Sequence, residues 1–97
     1  MIPAVVITGA SSGIGRAMAK IIAKEGHPVL LVGRNETALR TLAAEIKAQG
    51  AVAKTLTLSL DSHDAVFRLD EALTNSGLYC DVLINSAGFG VFGLVTE

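Results

Sequence analysis

Strand-type and helix-type hydrophobic periods alternate along this 97-residue chain, and that alternation limits the fold more than any other feature. Pro3-Ala4-Val5-Val6-Ile7-Thr8 is a continuous apolar run rich in β-branched residues, closed by Gly9, as in a strand buried on both faces. From Ile14 the period lengthens. Ile14, Ala17, Met18, Ile21 and Ile22 fall at helical spacing and predict the apolar stripe of a helix that Gly26 stops. Val29 to Val32, closed by Gly33, reads as a second strand. Asn35 is a good N-cap for a second helix with the stripe Leu39, Leu42, Ala43 and Ile46, ending at Gly50.

Next, Val52, Leu56, Leu58 and Leu60 alternate with Ala53, Thr55, Thr57 and Ser59, the pattern of an edge strand with one wetter face. Asp61 or Ser62 can cap a third helix carrying Val66, Leu69 and Leu73 and stopped near Gly77. Asp81 to Asn85 is a fourth strand, followed by glycine-rich chain from Ala87 to Gly93. A β-α-β-α-β-α-β order without linkers predicts one α/β domain over residues 1–97, a doubly wound parallel sheet of Rossmann type. Its expected strand order is 3-2-1-4, with ligands held where the winding reverses, between strands 1 and 4.

Composition narrows the function classes. Hydrophobic residues make up 51% of the chain and charged residues 18%, as in ordinary globular domains. A net charge of −1 gives no electrostatic case for nucleic acid. The longest apolar runs are far too short to span a bilayer. Cys80 is the single cysteine, which excludes an internal disulfide and a multi-cysteine zinc site. No basic-then-apolar leader opens the chain, so a cytoplasmic cofactor-using or binding domain is expected.

Between the first strand and first helix lies Thr8-Gly9-Ala10-Ser11-Ser12-Gly13-Ile14-Gly15. Glycine serves where backbone turns tightly or approaches a bulky ligand, because no Cβ intrudes. Unpaired N–H groups at a helix start, with the helix dipole behind them, favour a pyrophosphate. Ser11 and Ser12 can add hydroxyl donors. Arg16 after Gly15 rules out a Walker A loop, and Met18 occupies the third glycine position of the ordinary GxGxxG/A fingerprint. A glycine-rich connector without a ligand is the competing explanation, disfavoured by the strand-loop-helix context.

The loop, read with Asn85-Ser86-Ala87-Gly88 after the fourth strand, resembles the short-chain dehydrogenases/reductases. Their fingerprint Thr-Gly-x-x-x-Gly-x-Gly is matched without a gap by Thr8 to Gly15, and Asn-Asn-Ala-Gly follows their fourth strand. The resemblance covers the whole chain but only the N-terminal part of that fold. It implies that Gly9, Ser11, Ser12, Gly13, Ile14 and Gly15 line the pyrophosphate and adenosine ribose, and that Asn85, Ala87 and Gly88 support the ribose on the nicotinamide side. Ser86 departs from the second Asn of the motif. By gapless alignment Ser59, before Leu60, takes the family's adenine-contacting position. Asp61, two places on, either shifts into that role or caps the third helix.

NAD-preferring members are expected to carry an acid at the end of strand 2. Here Gly33 stands there and Arg34 follows, a guanidinium able to hold a 2′-phosphate by two parallel hydrogen bonds. NADP is therefore expected over NAD, with Asn35 as a possible second donor. The family's chemistry is carried by a Ser, a Tyr-x-x-x-Lys pair and a helical Asn, all C-terminal to this region. The single tyrosine, Tyr79, is read as a packing or surface residue before strand 4, and Leu83 stands four places on, so no catalytic residue is assigned. His27 and His63 lack the spacing for a metal site or triad. Glu25, Glu36, Glu45, Asp64, Asp70 and Glu71 read as helix surface and caps.

Three functions follow from this reading. The first is the N-terminal NADP-binding part of an oxidoreductase acting on a small carbonyl or alcohol, homo-oligomeric at full length, with its catalytic groups beyond Glu97. The second is a non-catalytic dinucleotide-binding or sensor module. The third is an interaction protein that has lost the cofactor, which the intact glycine loop and Arg34 oppose. The outer edge of strand 4, with Val82, Leu83 and Ile84, is expected to be open.

Overall fold

The computed structural model describes residues 2–10, 13–58 and 64–85. The elements run β1 (Ile2–Thr8), α1 (Gly13–Lys24), β2 (Val29–Gly33), α2 (Glu36–Ala48), β3 (Ala53–Thr57), α3 (Ala65–Asn75) and β4 (Leu78–Asn85). The four strands form one parallel sheet in the order β3-β2-β1-β4, as the alternation of periods implies.

The two-residue period of β1 and β2 sorts their side chains onto the two sheet faces. Val5, Ile7, Val29 and Leu31 pack with Ala19 and Ala23 of α1 and Leu39, Leu42, Ala43 and Ile46 of α2. Ala4, Val6, Leu30 and Val32 pack on the opposite face with Ala65 and Leu73 of α3, together with Leu58 and Leu78. Both central strands are thus apolar on each face, which is why they read as unbroken apolar runs.

Helix α1 departs from expectation. Its buried residues are Gly15, Ala19 and Ala23, with Met18 and Ile22 half-buried, whereas Ala17, Ile14 and Ile21 are exposed. Small residues at i, i+4 and i+8 let the helix axis lie close to the sheet. In α2 the expected stripe is buried in full.

Asp64 holds the N-cap position of α3, three residues after Asp61, and Asp61 and Ser62 lie outside the described residues. Val66 is also displaced from its expected place, being 80% exposed. Ala65, Leu69 and Leu73 are the residues that face the sheet, one position round the helix from Val66. Val52 precedes β3 and is exposed, while Ala53, expected on the wetter face, is buried among α1 and α2 side chains.

Strand β4 begins earlier than the apolar run suggests. Leu78 to Cys80 pair with Ile2 to Ala4, and the register then shifts so that Val82 faces Val5. Asp81 is the extra residue of this bulge, so the carboxylate interrupts the ladder without ending the strand. Tyr79 therefore lies within β4, opposite Pro3, and is partly exposed. Cys80 is half-buried. Beside β4 an apolar groove of about 660 Å³ is lined by Val66, Leu69, Leu73, Tyr79, Cys80 and Leu83, among others. Val82 is exposed and Leu83 and Ile84 are partly covered at this edge.

An ion cluster ties α1 to α2. Arg16 Nη2 donates to both Glu45 oxygens at 3.2 and 3.1 Å, and Lys20 Nζ lies 2.9 Å from Glu45 Oε1. The Lys20 hydrogen bond, together with the charges of Arg16 and Lys20 and the Arg16 hydrogen bond, outweighs the opposing desolvation and holds the Glu45 carboxyl below its ordinary value of 4.5. A carboxylate with a lowered native pKa stabilises the fold above its unfolded pKa and ceases to do so as pH falls through the native one. Glu45→Gln is therefore expected to lower the thermal midpoint slightly at neutral pH and to converge with the parent protein in acid well below 4.5. Thermal scans of both proteins across that range check this.

Candidate cofactor site

Thr8, Val32 and Asn85 stand level at the carboxyl ends of β1, β2 and β4, and Gly33 is level with Thr57 of β3. The glycine loop after β1, Arg34 after β2 and the chain after β4 therefore leave the same edge of the sheet. Segments from opposite ends of the sequence meet where the strand order reverses, the usual ligand crevice of open α/β sheets.

The turn out of β1 depends on Gly9, whose φ of 67° is the left-handed conformation that L side chains adopt only under strain. This turn brings the Ala10 N–H to the Val32 carbonyl at 3.1 Å and places the Ala10 methyl in the core. The Thr8 hydroxyl, 3% exposed, donates to the Ile84 carbonyl at 3.4 Å and joins the ends of β1 and β4. Thr8 was legible as the first residue of the motif, but its tie to β4 was not. A hydroxyl ending an otherwise apolar strand is the signal that could have pointed to it.

Gly13 and Gly15, the next two glycines of the loop, play different parts. Gly15 is buried and sets the close approach of α1 to the sheet. Gly13 opens α1 and is exposed, and a Cβ built there would meet nothing within 4 Å. The packing of the described residues thus gives no reason for glycine at position 13. A ligand resting on the helix start would supply one, because a Cβ would fill the space it needs. No acidic residue stands in the first turn of α1 to repel an anion, and Ile14 beside it is 72% exposed.

At the end of β2, Gly33 is buried and its carbonyl accepts from the Leu58 N–H at 2.8 Å. Arg34 is exposed. Asn35 caps α2 as expected, its Oδ1 accepting from the Ala38 N–H at 3.0 Å, which leaves the side-chain amide NH₂ as its remaining polar end. The structure thus brings Gly9, Gly13, Ile14, Gly15, Arg34, Asn35 and the backbone of Asn85 to one sheet edge. Ser11, Ser12, Ser59, Leu60, Ala87, Gly88 and the Asn85 side chain lie outside the described residues. Among the described residues, no group of three or more His, Cys, Asp or Glu could hold a metal ion, and no helix is long and apolar enough to cross a membrane.

Residues 3–97 match the family model for short chain dehydrogenases. The chain belongs to the short-chain dehydrogenase family. A short chain dehydrogenase of Pseudocercospora fijiensis is 38% identical over 92 residues, which is 95% of this chain and 30% of that relative. A metagenomic short-chain oxidoreductase solved in complex with NADP superposes with a TM-score of 0.80 at 40% identity, covering 95% of this chain and 41% of the other. L-sorbose reductase from Gluconobacter frateurii, solved with NADPH and L-sorbose, gives a TM-score of 0.83 at 35% identity, over 91% and 34% of the two chains. This short-chain dehydrogenase chain therefore spans well under half the length of these relatives.

Proposed function

We propose that this chain forms the NADP-binding end of an oxidoreductase that interconverts a small carbonyl compound and its alcohol, with the catalytic Ser, Tyr and Lys contributed by further polypeptide. Bound NADP(H) would supply or accept the hydride. The chain's own residues have a holding task. Gly9, Gly13 and Gly15 set a turn and a helix start whose N-terminal end would face the pyrophosphate, and Ser11 and Ser12 add hydroxyls. Ile14 covers the adenosine side. Ser59 and Leu60, with Asp61 as the alternative, border the adenine, and Asn85, Ala87 and Gly88 support the second ribose.

One observation carries the choice of cofactor. Where a carboxylate would accept hydrogen bonds from a ribose, the end of β2 offers Gly33, followed by exposed Arg34 and the amide of Asn35. A carboxylate there would repel a 2′-phosphate, whereas a guanidinium binds it. The relatives solved with NADP and NADPH are consistent with this assignment.

Arg34→Ala in the intact polypeptide is expected to remove about 1–3 kcal/mol of the preference for NADPH over NADH. Fluorescence titrations with both nucleotides measure it. Equal weakening of the two would contradict the assignment.

A further inference from the structure

Three charged residues stand at the start of α2. Arg34 is exposed just after β2, Glu36 is the first residue of the helix, and Arg40 lies one turn along it. Glu36 stands between two arginines in sequence and pairs with the one a turn along the helix. Its Oε2 lies 2.5 Å from Arg40 Nη2, whereas Arg34 forms no ion pair among the described residues. The capping bond that Asn35 Oδ1 accepts from the Ala38 N–H fixes where α2 begins, and hence where these side chains start.

We propose that Arg40 is a specificity-determining positioning residue: by holding Glu36, it keeps the Arg34 guanidinium open to the cofactor's 2′-phosphate. This rests on the NADP reading above. The reason is competition for one fork of donors. A guanidinium that chelates a carboxylate has used the same two parallel N–H groups that would hold a phosphate. Side chains on a helix lean toward its N-terminus, so a Glu36 released from Arg40 leans toward Arg34. Once there it would block the fork and place a negative charge beside the incoming phosphate. NADH lacks that phosphate, so its binding is indifferent to which arginine Glu36 takes.

The test is a set of dissociation constants for NADPH and NADH, measured at low ionic strength on the intact polypeptide. It uses the parent protein, Arg40→Ala, Glu36→Gln, the double variant and Arg34→Ala. Competition from an exposed carboxylate is comparable in strength to a surface ion pair, so Arg40→Ala is expected to weaken NADPH about two- to fivefold and leave NADH unchanged. Adding Glu36→Gln to Arg40→Ala should restore NADPH binding, because the competitor is gone.

An Arg40→Ala protein that binds NADPH as the parent does would overturn the proposal. So would a loss that persists in the double variant, since Arg40 would then act through its own charge. A parallel loss of NADH would mark a structural role and overturn it as well. If Arg34→Ala leaves the preference for NADPH intact, the NADP reading itself fails. If Arg34→Ala abolishes that preference while Arg40→Ala is silent, only the role of Arg40 fails.

Discussion

Gly13→Ala is expected to leave the fold as stable as before and to weaken dinucleotide binding by one to two orders of magnitude. Stability is spared because a Cβ at position 13 meets nothing within 4 Å and the residue opens a helix, where alanine is the better helix former. Binding is lost because that Cβ occupies the space through which the helix start and a pyrophosphate would approach. Losing one charge-assisted bond of about 1.5–3 kcal/mol corresponds to roughly 10- to 150-fold in affinity. The same substitution at Gly9 would not separate these effects, since its φ of 67° makes any side chain there a strain on the fold. Thermal melts paired with NADPH titrations of the Gly13→Ala protein check both halves. A lowered midpoint with unchanged affinity would assign Gly13 to folding instead.

Leu31→Ala is the substitution expected to cost the fold most. Leu31 lies in β2, between β1 and β3, with no exposed surface, and packs among α1 and α2 side chains. Removing its isobutyl group loses transfer free energy and leaves a cavity that a sheet held on both sides cannot close, at about 2–5 kcal/mol. Folded proteins are stable by only about 5–15 kcal/mol, so a large share of the total is at stake. Ile21→Ala is the control. Ile21 is 59% exposed on α1, and its loss should move stability by about 0.5 kcal/mol or less. Denaturant unfolding of the two variants should separate them clearly. Similar midpoints would mean that the expected α1 stripe, with Ile21 inward, is the true one.

The contrast between α1 and α2 explains what could be read from sequence. Leu39, Leu42, Ala43 and Ile46 form a stripe mostly of large aliphatic side chains with one solution, and all four are buried. In α1, large and small apolar residues compete for the sheet. Close approach wins, through Gly15, Ala19 and Ala23, which a count of large hydrophobics overlooks. The start of β4 was hidden by Asp81, because a charge ending an apolar run looks like a boundary until the register shift opposite Ala4 and Val5 is seen. Asp61, Ser62 and Asp64 are all cap-forming types, so local chemistry alone does not choose among them.

The candidate site was more legible than the packing. Glycines at fixed spacing and a basic residue after a strand report backbone demands and charge, which depend little on what surrounds them. What the sequence could not convey was partnership. The Thr8 hydroxyl reaches β4, and Glu36 takes Arg40 rather than Arg34, only once strands and helix turns are in place.

The most direct test is calorimetric titration of the intact polypeptide with NADPH and, separately, NADH. One nucleotide bound per chain, with NADPH at least tenfold tighter, is the expected result for a helix start and an arginine that together read three phosphates, at about 1.4 kcal/mol per factor of ten. NADH bound as tightly as NADPH, or neither bound, would contradict it.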